Sequence, residues 1–197
     1  MFTRDTLIAA YQAHQGAIAR DSIAPELTAN LTPAAVLIPI VTYPDGLRVL
    51  LTQRSERLKN HAGQISFPGG RFDPTDADLA HTALRETREE IGLGPEYIHL
   101  LGPIATYATI TRFVITPYLA LVEPGFDLVL QIDEVDEAFE APLDYLLDPR
   151  HHLQHEIRFE DRVRHYHSIP WEGRNIWGAT ASMLRNLGRH IAPELYR

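Results

Sequence analysis

The chain has 197 residues, a formal net charge of −8 and no cysteine. Its length suits one domain with modest additions, and a hydrophobic content of 45% is ordinary for a protein with a real core. The acidic balance argues against a nucleic-acid-binding protein, and the lack of cysteine excludes disulfides and thiolate catalysis. No apolar run approaches the ~20 residues that span a bilayer. Acidic and polar residues interrupt the N-terminus, so we expect no signal peptide and a cytoplasmic protein.

The N-terminal quarter predicts a helix, a connection and a β-hairpin. Residues 3–19 carry apolar side chains at helical spacing, and residues 20–33 are polar and contain two prolines. Residues 34–41, AAVLIPIV, form an apolar run that is typical of a buried strand. The tetrapeptide Tyr43-Pro44-Asp45-Gly46 predicts a turn into a second strand over residues 47–52.

A basic loop follows the hairpin. Arg54, Arg57 and Lys59 lie close together in the sequence, and guanidinium groups suit the oxygens of phosphate. We therefore expect phosphate contacts from at least one of the three. The alternative is a surface loop that only balances local charge.

A short strand and a pair of glycines then lead to a helix. Residues 65–67 alternate as a strand, and Gly69 and Gly70 predict a tight turn at which the backbone approaches a ligand closely. Thr75 is the expected N-cap of the helix, with Asp76 as the alternative.

The helix gathers three carboxylates. At about 100° per residue, Glu86, Glu89 and Glu90 fall on one side, and apolar residues fall on another. Gly92 is the expected C-terminal stop. Three carboxylates on a short arc repel one another, which indicates a hard cation such as Mg²⁺ or Mn²⁺ between them. The alternative is a solvated acidic face that neighbouring arginines neutralise.

This segment resembles the Nudix box, GX5EX7REUXEEXGU, in which U is a bulky apolar residue. The residues that match its second half are Arg85, Glu86, Glu89, Glu90, Gly92 and Leu93. The first half departs from the pattern. Counted from Gly70, the acidic position holds Asp76 in place of glutamate, and one extra residue separates it from Arg85. The departure leaves the role of Asp76 open and does not affect the glutamates.

Two further segments resemble a subgroup of the Nudix superfamily, the coenzyme A pyrophosphatases. Residues 50–70, LLTQRSERLKNHAGQISFPGG, are similar to the segment that leads into the box in that subgroup, which also shares the extra box residue. Residues 175–181, NIWGATA, resemble the start of its last helix, and we interpret Trp177 as a core residue.

The C-terminal half predicts more strands and two helices. Strands are expected at residues 97–101, 104–106 and 113–122, where Pro117 suggests a sheet edge or a bulge. Residues 142–147 predict a short helix over the sheet. Five histidines between residues 148 and 170 match no compact zinc motif, so we do not expect zinc there.

The acidic segment at residues 131–138 offers one more candidate. In many Nudix proteins a similar segment brings an additional glutamate toward the metals. Glu134 is therefore the candidate by resemblance, and Glu137 is the second choice. The alternative is an acidic start of a helix that the helix dipole favours.

The resemblance implies an α/β protein with the Nudix fold, a mixed β-sheet sandwiched between α-helices. We expect an N-terminal helix and connection at residues 1–33 and the Nudix domain at residues 34–197. It implies a Mg²⁺- or Mn²⁺-dependent hydrolase that cleaves coenzyme A into 3′,5′-ADP and 4′-phosphopantetheine. The expected partner is this small molecule, without nucleic acid or membrane, and a homodimer is left open.

The resemblance also assigns residues to roles. The metal ligands would be Glu86, Glu89 and Glu90, and the catalytic residues Glu89, Glu86, Arg85 and Glu134. Substrate contacts would come from Arg54, Arg57, Lys59, Gly69 and Gly70. One alternative is a broad ADP-ribose or nucleotide-sugar pyrophosphatase. Another is a non-catalytic nucleotide sensor, although sensors usually lose the box glutamates that this chain keeps.

Overall fold

The computed structural model describes residues 2–13, 31–159 and 162–196. The helices are α1 (Arg4–Ala13), α2 (Leu79–Ile91), α3 (Leu143–Leu147) and α4 (Ala179–Ile191). The strands are β1 (Thr32–Tyr43), β2 (Gly46–Arg54), β3 (Ile65–Ser66), β4 (Gly69–Arg71), β5 (Ile98–Pro103), β6 (Tyr107–Ala108), β7 (Phe113–Val122), β8 (Val135–Pro142), β9 (Leu153–Phe159), β10 (Arg162–Trp171) and β11 (Arg174–Trp177).

The main sheet is mixed and has β1 near its centre. Its strand order is β3-β2-β1-β7-β5, with β4 paired to β1, β6 to β7 and β8 to β2. Strands β1 and β7 run parallel, and the other pairs are antiparallel. A separate antiparallel sheet has the order β11-β10-β9. The predicted hairpin and the predicted mixed sheet are both confirmed.

Alternating side chains of β1 divide the core into two layers. Val36, Ile38 and Ile40 belong to a large cluster that includes buried residues of α1, α3 and α4. Ala35 and Leu37 point the other way and pack with residues of α2. Because successive strand residues face opposite sides, one apolar run supplies both layers. The expected sandwich of a sheet between helices is confirmed.

Two sequence-based expectations for the chain around the box are wrong. Gly69 and Gly70 do not form a tight turn but belong to β4, which pairs with β1. Helix α2 begins later than expected, with Asp78 as its N-cap in place of Thr75 or Asp76. Both glycines are extended because β1 offers an open edge of backbone donors and acceptors beside them.

Pro117 does not lie at a sheet edge. It lies inside β7, between β1 and the pair β5 and β6, where the β5 pairing gives way to the β6 pairing. Its carbonyl accepts a hydrogen bond from Ile104 at 2.9 Å on that side. The backbone N and O of one strand residue point to the same side of the strand. Pro117 therefore lacks its N–H on the side of β5 and β6, at the point where one of these strands ends and the other begins, so no ladder hydrogen bond is lost there.

Other predictions have mixed outcomes. Residues 104–106 are not a strand, and the segment before β8 is a turn, not the start of a helix. Trp177 is 41% exposed, so its interpretation as a core residue is wrong. The predicted first helix is seen over Arg4–Ala13. Residues 14–19 of that prediction and residues 20–30 of the predicted connection lie outside the described residues. In the part of the chain described, no helix is long and apolar enough to cross a membrane.

Candidate active site

Helix α2 is held at both ends by the expected kinds of cap. The Asp78 carboxylate accepts from the backbone N–H of His81 at 2.8 Å. Gly92 takes the left-handed conformation with φ 71°, and its N–H donates to the carbonyl of Arg88. The predicted C-terminal stop is confirmed. Ala83, Thr87 and Ile91 are buried on the side that faces the sheet, so the register of the helix is set by packing.

Asp76 is the buried anchor at the entrance of the helix. Its Oδ1 accepts from Arg85 Nε at 2.8 Å, and its Oδ2 accepts from Arg85 Nη2 at 3.0 Å. The hydroxyl of Thr82 and the backbone N–H of Asp73 also donate to it, at 2.8 and 3.1 Å. These donors, Arg85 first, hold the pKa of Asp76 well below its usual range. The sequence left the role of this aspartate open, and the geometry shows it binding the box arginine.

The same arginine reaches two of the box glutamates. Arg85 Nη1 donates to Glu86 Oε1 and to Glu89 Oε2, both at 2.9 Å. With Asp76, three carboxylates therefore surround one guanidinium. Asp76 holds the guanidinium group of Arg85 in place, so the remaining N–H groups of Arg85 set the positions of Glu86 and Glu89.

Glu90 is the buried member of the glutamate group, with only 4% of its side chain exposed. Its Oε2 accepts from the backbone N–H of Gly69 at 3.1 Å, and Arg54 Nη1 lies 3.7 Å from its Oε1. The pKa of Glu90 is raised to about 7, mainly by burial; the Gly69 N–H and Arg54 oppose the rise, and the charges of Glu86 and Glu134 add to it. This carboxylate is poorly compensated for a buried charge.

Glu134 lies within electrostatic reach of the same group. Burial raises the pKa of Glu86, and the charges of Glu89 and Glu134 add to the effect against Arg85. The turn that carries Glu134 is fixed from two sides. The carbonyl of Glu134 accepts from the backbone N–H of Ser55 at 2.8 Å. The backbone N–H of Gln131 donates to the carbonyl of Glu90 at 2.9 Å. The turn thus joins the end of α2 to the loop after β2.

The second-choice acidic residue lies elsewhere. The carboxylate of Glu137 accepts from Arg174 Nη2, and its backbone position is opposite Gln53 in β2. Glu134, not Glu137, shares electrostatic effects with the helix glutamates.

Strand β4 brings glycine backbone against the carboxylates. Gly69 has φ +154°, and a Cβ on it would overlap the carbonyl of Ala35 and the backbone of Val36. A Cβ on Gly70 would overlap the carboxylate of Glu86. Only glycine permits this approach, so the two glycines and the glutamates form one surface.

The three basic candidates separate in space. Arg54 lies beside Glu90, whereas Arg57 lies 3.6 Å from Asp133 with both side chains largely exposed. Lys59 is exposed in the loop between β2 and β3. Of the three, only Arg54 contacts the box glutamates in the described structure.

The donor chemistry of this cluster suits a hard cation. Glu86, Glu90 and Glu134 offer oxygen donors only. Burial first, and the neighbouring carboxylate charges second, raise the pKa values of Glu86 and Glu90. Within the described residues, no three His, Asp or Glu side chains are already arranged as a ligand shell. Glu89 is 60% exposed and is bonded to Arg85.

Comparison with known proteins places this geometry in a family. Residues 31–175 match the family model of the NUDIX domain, which is most of the chain. A Yersinia enterocolitica protein named "Uncharacterized Nudix hydrolase NudL" is 39% identical over 165 residues, covering 83% of this chain and 84% of that protein. A Yersinia pestis protein of the same name is 37% identical over 160 residues, covering 81% and 79%.

A solved structure agrees at the level of the fold. The Nudix hydrolase RenU of M. smegmatis superposes with a TM-score of 0.50 and 23% identity, over 59% of this chain and 74% of that one. The sandwich of a mixed sheet between helices is thus the Nudix fold. The chain belongs to the Nudix family and is a pyrophosphohydrolase. Enzymes of this family generally use divalent metal cations.

The structure also supplies residues that the sequence did not single out. Thr82 binds Asp76, and Gln131 ties the Glu134 turn to α2. Arg71 and Phe72 line a cleft of about 420 Å³ beside Glu86. Their only sequence signal is that they follow the glycine pair directly.

Proposed function

We propose that this pyrophosphohydrolase cleaves coenzyme A or its derivatives into 3′,5′-ADP and 4′-phosphopantetheine, with Mg²⁺ or Mn²⁺. One observation carries the proposal. Segment 50–70, which resembles the coenzyme A subgroup, contacts a box glutamate through Arg54 and through the N–H of Gly69. The segment that suggests the substrate is therefore a wall of the site that would act on it.

The carboxylates would hold the metal, and the cluster is built for that task. Glu86, Glu89 and Glu90 would be the ligands, with Glu134 close to them. Bound there, a divalent ion offsets the charge of the pyrophosphate and lowers the pKa of water. Arg85 acts through Glu86 and Glu89, because its other N–H groups are already committed to Asp76. A glutamate not used as a ligand can take the proton of the attacking water, and Glu89, Glu86 and Glu134 are the candidates.

The substrate would lie between the glutamates and the basic loop. Gly69 and Gly70 would form the backbone floor of the phosphate site, because without side chains they lie directly against Glu90 and Glu86. Arg54 would exchange Glu90 for phosphate once cations neutralise that carboxylate. Arg57 and Lys59, both exposed on the same loop, would contact the oxygens of the pyrophosphate from the side of the loop. Water adds to one phosphorus of the pyrophosphate while the bridging P–O bond breaks, so each product keeps one of the two phosphates of the pyrophosphate, and 3′,5′-ADP also keeps the 3′-phosphate.

A substrate panel with defined metals tests the proposal. Coenzyme A, ADP-ribose, NADH, dinucleoside polyphosphates and oxidised dNTPs would be compared with Mg²⁺, Mn²⁺ and a chelator. We expect the highest kcat/KM for coenzyme A and no turnover with the chelator. Strong cleavage of ADP-ribose with negligible cleavage of coenzyme A would assign the broad pyrophosphatase alternative. Tight nucleotide binding with no turnover of any compound would assign the sensor alternative.

A further inference from the structure

Beside the glutamates lies a cleft, and most of the residues that line it have no role in the proposed cleavage of the pyrophosphate. Its walls are Arg71, Phe72, Asp73 and Pro74 from the end of β4, with Arg85 and Glu86 from α2. Its volume of about 420 Å³ falls within the ~300–1,000 Å³ typical of small-molecule sites. Because Glu86 lines it, a substrate whose pyrophosphate met the glutamates would extend directly into this cleft.

Arg71 supplies a positive charge that is available to a ligand. Arg54, Arg57 and Arg85 all lie next to carboxylates. By contrast, the exposed guanidinium of Arg71 has neither a hydrogen-bond nor an ion-pair partner within the described residues. Its backbone is fixed, since Arg71 pairs with Ala34 in the sheet. A free guanidinium on a rigid strand suits the bidentate binding of a phosphate monoester.

Phe72 supplies an aromatic surface next to that charge. Its N–H donates to the carbonyl of Pro33 at 3.0 Å, which holds the backbone in place. The ring is half-buried and, among the described residues, belongs to none of the three apolar clusters. An aromatic side chain outside the core and inside a cleft suits stacking with a base.

The acidic wall of the cleft does not oppose an anion directly. Asp73 Oδ1 accepts from the N–H of Thr75 at 2.8 Å and from its hydroxyl at 2.7 Å. Those two bonds direct this oxygen toward the turn before α2. Among the described residues, no ion pair joins Asp73 to Arg71, so Asp73 does not occupy the cation.

We propose that this cleft binds the nucleoside end of the substrate, with the base on Phe72 and a ribose phosphate monoester on Arg71. The inference rests on the proposed function, because coenzyme A carries such a monoester on its adenosine. It goes further in assigning recognition of that group to one side chain. Arg71 would therefore determine specificity for the phosphorylated ribose without contributing to cleavage.

The test compares coenzyme A with 3′-dephospho-coenzyme A, which lacks only the monoester. Arg71→Gln should lower kcat/KM for coenzyme A about tenfold or more and change that for the dephospho compound less than about twofold. For Arg71→Lys, the kcat/KM for coenzyme A should lie between those of wild type and Arg71→Gln, since lysine keeps the charge but lacks the two-pronged guanidinium group. Arg88→Gln, an exposed arginine of α2, is the control and should leave both substrates unchanged. An equal loss on both substrates, or no loss on either, would overturn the assignment.

A binding measurement separates this inference from the proposed function. Calorimetry would compare 3′,5′-ADP with AMP on the wild type, Arg71→Gln and Phe72→Leu. Wild type should prefer 3′,5′-ADP, Arg71→Gln should lose that preference, and Phe72→Leu should bind both about fivefold or more weakly. If the enzyme cleaved neither coenzyme compound but showed this binding pattern, the cleft assignment would stand and the coenzyme A proposal would fall. Equal affinities for both nucleotides in wild type would overturn the cleft assignment itself.

Discussion

Arg85 donates to both carboxylate oxygens of Asp76, Nε to Oδ1 at 2.8 Å and Nη2 to Oδ2 at 3.0 Å. The contact joins the turn before α2 to the side of the helix that carries the glutamates. It also explains why the box tolerates an extra residue and an aspartate. Asp76 has a shorter side chain than the glutamate of the box pattern and is one residue more distant from Arg85 in the sequence, yet its carboxylate still binds Arg85.

Asp76→Asn should impair both folding and turnover. The amide cannot accept two charge-assisted bonds from Arg85, so Glu86 and Glu89 lose the arginine that positions them. We expect kcat to fall about tenfold or more with little change in KM, because the substrate contacts lie elsewhere. Steady-state kinetics with coenzyme A would measure this. Asp127→Asn, at an exposed aspartate, serves as the control, and full activity of Asp76→Asn would contradict the positioning role.

The pH dependence of stability tests the same contact. Since the folded-state pKa of Asp76 is lowered, its stabilising effect is complete above the unfolded value of about 4 and is lost as the pH falls below it. Asp76→Asn should therefore have a lower melting temperature than wild type at neutral pH. This difference in melting temperature should become smaller in acid. A constant gap at all pH values would show that the charge of Asp76 does not matter.

Glu90→Gln should stabilise the metal-free protein in mild alkali. The pKa of Glu90 rises from 4.5 to about 7, so the folded state holds more protons than the unfolded state between these values. The free energy of unfolding therefore falls as the pH rises between these two pKa values. Above the folded-state pKa, the ionised and buried carboxylate destabilises the protein by its full amount. Removing the charge should recover up to about 3 kcal/mol at about pH 8 and little at about pH 5.

Chemical denaturation at the two pH values would measure this change. Glu194→Gln, at an exposed position, is the matched control and should leave the stability unchanged. The stabilised Glu90→Gln variant should nevertheless lose most turnover. A drop in stability at high pH would mean that Arg54 and Gly69 compensate the buried charge fully.

Glu89→Gln should separate chemistry from folding. The side chain is 60% exposed and its only described side-chain bond is to Arg85, so the fold should be little affected. As a ligand or base it should cost about 100-fold or more in kcat. Circular dichroism and metal-titrated kinetics would be measured together, with Glu96→Gln as an exposed control. Unchanged rates would defeat the catalytic role of Glu89.

Gly69→Ala should destabilise the protein. The residue has φ +154°, and its Cβ would overlap the carbonyl of Ala35. We expect a loss of about 2 kcal/mol or more in the free energy of unfolding. Gly125→Ala is the matched control, because Gly125 also has a positive φ of +99° but open space around its Cα. If both variants lost the same stability, backbone strain alone would account for the effect and close packing at β4 would not.

Short-range patterns in the sequence determined much of the architecture. The apolar run of β1, the turn at residues 43–46 and the stop at Gly92 depend on neighbouring residues, and all three appear in the structure. The grouping of Glu86, Glu89 and Glu90 likewise follows from the helical repeat alone. Such features could be predicted because the residues that cause them are adjacent or one helical turn apart.

Long-range packing decided what the glutamates became. The sequence did not show that Glu90 is buried or that Gly69 and Arg54 meet it. It placed Glu134 near the group only by resemblance, and the turn before β8 is what brings this residue within electrostatic reach. It also misplaced the start of α2, because Asp76 was already committed to Arg85, nine residues away in sequence. The pKa of a carboxylate depends on desolvation and on charges from distant segments. Those quantities exist only once the sheet and the helix have packed together.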